Sequence, residues 1–206
     1  MDSSKIVEIF KVKAKKKSSA HPLLKSSVLV PIIEVKNEPH ILFQVRSYDM
    51  KTQPGEICFP GGKVEKNETL QQSAIRETVE ELNVSQDHIE VIGKLDPIVT
   101  TFNMIIYPFC GVLHNLDLQT IHFNEKEVDS LFTVPIKDLL SQKPLVHKLK
   151  IDTIPDESFP FHLIQNGDSY RWRVNDYYVY FYIYKDYVIW GITAKILKNF
   201  LDILSD

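Results

Sequence analysis

Between Pro60-Gly61-Gly62 and Asn83 the chain has little conformational choice, because a tight reversal is followed at once by a helix that must carry three glutamates together. Pro-Gly-Gly is a strong chain-reversing signal. Leu70, Ala74, Val79 and Leu82, with Ile75 more loosely, then recur at spacings of three and four, the period of a helix face and not of a strand. Thr69 with Gln72 three residues on resembles a capping box, and Asn83 stands where the helix should end. On that helix Glu77 precedes Glu80 by three residues and Glu81 by four, so the carboxylates crowd one face. Like charges at that separation weaken a helix by roughly a few tenths of a kcal/mol per pair, and something should neutralise them. Hard divalent cations prefer oxygen ligands, and magnesium typically binds through one or two carboxylates plus substrate phosphates. Arg76, one turn before Glu80, can offset part of the charge and hold a carboxylate through a forked pair of hydrogen bonds. An acidic helix face alone is commonly just solvated; the ordered spacing around this one is what changes the weighing.

Two apolar runs precede the reversal, 27–35 and 40–46, separated by Lys36-Asn37-Glu38-Pro39, and they read as a hairpin-like strand pair. Pro31 cannot donate to a ladder, which predicts an edge or a bulge there; Pro108 argues in the same way against a central place for its position in the strand expected over 105–113. Further strands are expected over 89–95 and 98–101, and 125–131 suits either a short helix or an ordered loop. Residues 177–184 carry aromatic and β-branched side chains on both alternating faces, which predicts a strand buried on both sides. Thr193, Ile196, Leu197, Phe200, Leu201 and Leu204 mark a final helix that should dock on the sheet.

A chain of 206 residues, 44% hydrophobic and 25% charged, can bury one substantial core. The domain expected is 27–206, preceded by a basic segment, 1–26, whose five lysines over 11–17 suit an exposed arm. No stretch approaches the ~20 apolar residues that cross a bilayer, and no signal peptide pattern opens the chain, so a soluble, cytoplasmic protein without a membrane partner is expected. Cys58 and Cys110 lie in apolar runs and read as buried thiols in a reducing compartment. A net charge of -3 gives no general attraction for nucleic acid, so phosphate chemistry must be arranged locally, by cations or bound metal. There is no H-E-x-x-H, Walker loop or G-x-S-x-G elbow, which sets aside zinc-protease, P-loop and serine-hydrolase readings.

Gly62, Glu68, Arg76-Glu77 and Glu80-Glu81 fall in the order G-x5-E-x7-R-E-x2-E-E over 20 residues, and this segment resembles the Nudix box. Thr78 stands where the box has an aliphatic residue and Asn83 where it has glycine; threonine keeps a methyl for packing, and asparagine tolerates the left-handed conformation that closes a helix. The resemblance implies an α/β/α sandwich with a mixed β-sheet between helices. It implies Glu77, Glu80 and Glu81 as ligands of Mg2+ or Mn2+, with the Gly61 carbonyl a frequent extra ligand, and Glu68 as a structural partner of Arg76. It also implies attack of a metal-activated water on one phosphorus of a diphosphate. The general base stays open between a box glutamate and a later acid, Glu127 or Glu125.

The box fixes chemistry and not substrate. Upstream, Leu42, Arg46, Ser47, Gly55, Phe59, Pro60, Gly61 and Gly62 fall in register with a signature resembling that of coenzyme A diphosphatases, L-L-T-x-R-S-x3-R-x3-G-x3-F-P-G-G. Phe43-Gln44 replace Leu-Thr, and Lys51 replaces the second arginine, keeping charge but losing the planar fork. Arg46, Ser47, Lys51 and Gly62 are therefore the expected substrate contacts, the two cations reading the 3'-phosphate that ADP-ribose lacks. Phe59 is equally a core anchor. Residues 189–197, containing Trp190 and Gly191 as packing residues, resemble the closing segment of the same enzymes. Coenzyme A hydrolysis is the expectation; the alternatives are another nucleoside diphosphate derivative such as ADP-ribose, or a nucleotide-sensing module that does not cut. A homodimer stays open.

Overall fold

The computed structural model describes Lys5 and residues 23–118 and 121–205; the lysine run and nearly all of the basic segment lie outside these residues. β1 (Leu24–Val35) and β2 (Glu38–Arg46) form the expected hairpin, with Val35 opposite Glu38. Its connection is two residues and not four: Lys36 and Asn37 both take positive φ, 52° and 62°, a primed turn whose twist matches the strands. β1 starts three residues earlier than expected because Leu24–Ile33 run parallel to β7 (Met104–Leu113).

Around this pair lie β3 (Ile57–Cys58) on β2, β4 (Gly61–Lys63) on β1, β5 (Ile89–Lys94) and β6 (Ile98–Val99) on β7, and β8 (Val128–Pro135) on β2. Among the described residues the sheet has eight strands, mixed in sense because only β1 and β7 are parallel. Alternate residues face opposite ways. Leu29, Ile33 and Leu42 face helix α1 (Leu70–Leu82), packing with Ala74 and Leu82. Val30, Ile41, Phe43 and Val134 face the other side, with α2 (Ile136–Ser141) and α3 (Gly191–Ser205). The α/β/α sandwich follows from that division. Phe59 belongs to the second core: it stacks on Phe43 at 5.1 Å, and Phe43 stacks on Phe132 at 5.3 Å.

Neither proline sits at an edge. The Leu29 N–H, two residues before Pro31 and so aimed to the same flank, donates to the Pro60 carbonyl, while pairing with β2 begins only at Ile32. Pro31 falls in the gap between the β4 and β2 ladders, where no donor is required. Pro108 lies likewise in a central strand, between the β6 and β5 pairings. Residues 125–127 form a turn, and β8 begins directly after it.

The strand expected over 177–184 is β10 (Asn175–Tyr184), and it is the middle of an antiparallel sheet, β11-β10-β9, with β9 (Leu145–Ile151) and β11 (Tyr187–Trp190). β10 is not buried on both sides along its length: Val179 and Tyr182 are buried, on opposite faces, but Tyr178 and Ile183 are about half exposed. α3 packs on this sheet through Ala194, Leu197, Phe200 and Leu201, whereas Leu204 is exposed beyond the contact.

Candidate active site

α1 is built as its caps require. Thr69 Oγ1 accepts from the Gln72 N–H, the Gln72 side chain accepts from the Thr69 N–H, and Asn83 closes the helix at φ 52°, ψ 44°. Its buried face differs from the apolar pattern: Thr78 is fully buried and Glu81 nearly so, while Ile75 and Val79 are only partly covered. Thr78 fits the core because its hydroxyl donates to the Ala74 carbonyl at 2.7 Å, leaving the methyl to pack.

Arg76 is the centre of the charge network. Its Nε and Nη2 grip Glu68 at 3.0 Å each, Nη2 also reaches the Lys63 carbonyl at 3.2 Å, and Nη1 lies 2.9 Å from Glu77 and 3.1 Å from Glu80. The Arg76 bond, seconded by the Glu65 N–H, holds the Glu68 carboxyl down to about 2. Glu68 is thus the structural partner of Arg76 in position as well as in sequence.

Glu81 is 4% exposed, and two donors converge on its Oε2: the Gln44 side chain at 2.8 Å and the Gly61 N–H at 3.1 Å. Burial outweighs these bonds and pushes its carboxyl up to about 7. Burial likewise raises Glu77, although Arg76 opposes the shift. Glu77 lies flat over Gly62, where a Cβ would collide with its carboxylate. Glu80 is different: it is exposed and held by Arg76.

A cavity of about 950 Å³ opens beside these groups. Its lining includes Glu77, Glu81 and Glu127, with Gly61, Gly62 and the cations Lys25, Arg46 and Lys63. It also includes the apolar side chains of Met104, Leu149, Val179, Trp190 and Ile192. Trp190 also stacks on Phe181 at 6.0 Å, so packing is half of its role. Several expected contacts lie elsewhere. Glu80, Ser47, Lys51 and Glu125 do not line the cavity. Ser47 is buried and organises the loop, its Oγ accepting from the Asp49 N–H and its own N–H donating to the Glu127 carbonyl; Lys51 and Glu125 are exposed. Arg46 lines the cavity while donating to the Thr52 carbonyl.

Three residues at the site carried no motif. Lys25 and Lys63 come from paired strands flanking the reversal. Asn124 donates its N–H to the Glu81 carbonyl at the helix end, and its own carbonyl accepts from Glu127 and Val128, so it ties the Glu127 turn to α1.

The donor set suits a hard divalent cation: carboxylate oxygens, with burial disfavouring the charged forms of Glu77 and Glu81 where a cation would favour them. Among the described residues no three acidic, histidine or cysteine side chains already converge on one point; Arg76 lies between Glu77 and Glu80, and a cation would compete with it. A pH dependence follows. Because Glu81 titrates near 7 when folded and near 4.5 as a free side chain, the folded protein holds a proton in that window that the unfolded chain releases. The resulting stability is full below the lower value and is lost as pH rises through the upper one. Calorimetry of the metal-free protein between about pH 5 and about pH 8 should show the midpoint falling, and saturating magnesium should flatten the trend.

The NUDIX domain model matches residues 23–156, which take in the sheet hairpin, the glycine turn and all of α1. The chain belongs to the NUDIX family. It is similar to Nudix hydrolase 3 of Caenorhabditis elegans, 30% identical over 200 residues that cover 91% of this chain and 80% of that one. It is also similar to the peroxisomal coenzyme A diphosphatase NUDT7 of Mus musculus, 34% identical over 176 residues, 84% of this chain and 66% of that one. A MutT/nudix family protein from Enterococcus faecalis matches the fold over 100% of this chain and 71% of its own, with a TM-score of 0.55 at 13% identity. Among the described residues of this Nudix protein, no helix is long and apolar enough to cross a membrane.

Proposed function

We propose that this Nudix hydrolase cleaves the diphosphate of coenzyme A and its thioesters, giving 4'-phosphopantetheine, or its acyl form, and adenosine 3',5'-bisphosphate. Family membership supports pyrophosphate hydrolysis. The observation that carries the substrate is a cavity whose lining combines carboxylates, three cations and several apolar side chains. Coenzyme A has a polyanionic nucleotide joined through a diphosphate to a long uncharged arm, and each part has a matching lining. The name of the mouse relative points the same way.

Glu77 and Glu81 would hold Mg2+ or Mn2+, with the Gly61 carbonyl beside them and Glu80 joining by leaving Arg76. A bound divalent cation supplies a lowered pKa for the attacking water and charge neutralisation on the diphosphate. Glu127, which lines the cavity, would take the proton of that water on its carboxylate. Glu125, outside the cavity, is the weaker candidate. Arg46, Lys25 and Lys63 meet the phosphates, and Gly62 keeps the backbone close.

A second reading, hydrolysis of another nucleoside diphosphate derivative such as ADP-ribose, is favoured by one observation: Lys51, the counterpart of the second signature arginine, stands outside the cavity. Chromatography of the products from coenzyme A, an acyl thioester, ADP-ribose and a dinucleotide decides between them. Turnover of the first two well above the others is expected, and turnover of ADP-ribose alone would establish the second reading.

A further inference from the structure

The coenzyme A reading leaves one buried polar side chain without a role. Gln44 lies in the middle of β2, between Phe43 and Val45, and is 1% exposed. Alternation along the strand puts it with Leu42 on the face toward α1, while its neighbours enter the opposite core. An aliphatic residue would suit this place on packing grounds alone.

The amide is poorly provided for as a structural element. Nε2 donates to Glu81 Oε2 at 2.8 Å and lies 3.4 Å from the sulfur of Cys58, its register partner on β3 and a weak acceptor. Oε1 is buried with no partner among the described residues. Native proteins rarely leave a buried acceptor unpaired, because its desolvation is not repaid. What Gln44 does provide is the second donor to Glu81 Oε2, opposite the Gly61 N–H at 3.1 Å. Two donors on one oxygen fix the rotation of the carboxylate, and neither engages Oε1 of Glu81, a residue that lines the cavity.

We propose that Gln44 is a positioning residue: its amide orients Glu81 so that the other carboxylate oxygen is presented for a divalent cation, and the cost is a stranded carbonyl in the core. The proposal rests on the reading of Glu81 as a cation ligand. Partners that orient a ligand from behind typically contribute about 10-fold to 100-fold in metal affinity. A side chain that only filled space would show no such effect.

The test is Mn2+ binding by electron paramagnetic resonance of the free ion, on wild type, Gln44→Met and Glu81→Gln, with the thermal midpoint of each metal-free protein. Methionine matches glutamine in length and volume but has no donor. Gln44→Met should weaken Mn2+ binding about 10-fold or more, with a midpoint equal to or above wild type because the unpaired carbonyl is gone. Binding by Gln44→Met within twofold of wild type, while Glu81→Gln is impaired, overturns this proposal and leaves the role of Glu81 standing. Loss of cooperative unfolding, or a midpoint clearly below wild type, overturns it too, since the amide would then be serving the fold. If Glu81→Gln binds Mn2+ like wild type, the reading of Glu81 falls and the proposal falls with it.

Discussion

Glu81→Gln should lower kcat about a hundredfold or more while the protein stays folded. The amide nearly conserves volume, so the packing against Gln44 and Gly61 survives in outline; what disappears is the charge. Neutralising Glu81 also relieves the burial that raises its carboxyl to about 7, so the metal-free variant should be no less stable than wild type near neutral pH. Steady-state kinetics with coenzyme A over a magnesium titration, paired with a thermal scan, separates the two effects. Activity within twofold of wild type at every magnesium concentration would remove Glu81 from the chemistry altogether.

The two glycines of the reversal should fail in opposite ways when each is changed to alanine. At Gly61 a Cβ would collide with the Ser27 carbonyl oxygen and with Val28, both on β1. That strand is held by β7 along ten residues and cannot retreat. The cost should fall at the upper end of overpacking, about 3 kcal/mol, which in a chain of this size lowers the midpoint by roughly 6–12 °C. At Gly62 the collision is with the carboxylate of Glu77, the free end of a flexible side chain, so the fold can yield at a cost of about 1 kcal/mol. Activity cannot yield in the same way, because Glu77 is driven from its place; kcat should fall on the order of 100-fold. Thermal scans and kinetics on the two variants should therefore rank them in reverse order. Equal midpoints would refute the claim that the Gly61 collision, against backbone, is the costlier for the fold.

The parts of the site legible in the sequence are those whose partners lie within one helix or one turn. Thr69, Gln72 and Asn83 cap α1, and Arg76 meets Glu80 one turn on, because helical geometry fixes those spacings whatever the rest of the fold does; Glu68, outside the helix and eight residues before Arg76, is the exception, expected from the resemblance to the Nudix box and not from spacing. Asn124 and the cations Lys25 and Lys63 reach the site through long-range pairing, and local pattern holds no record of that. Gln44 did leave a trace. A lone amide inside the apolar run Ile41–Val45 implies a buried partner somewhere, though not which one. The prolines misled for a related reason: a proline excludes a ladder bond on one flank only, and here each faces a gap in an otherwise central strand. Val79, expected on the apolar face, is only partly covered, whereas Thr78 is buried as its methyl allows, because a buried hydroxyl can satisfy itself on its own helix.

The match to the domain model ends at residue 156, yet Tyr177, Val179, Trp190 and Ile192 of the cavity wall come from the chain beyond it. On the proposed reading, part of the wall that meets the uncharged arm thus lies outside the stretch that carries the carboxylates, while Met104 and Leu149 lie within it. On that reading, mutations that reshape the later stretch retune which uncharged arm is admitted without disturbing a single carboxylate.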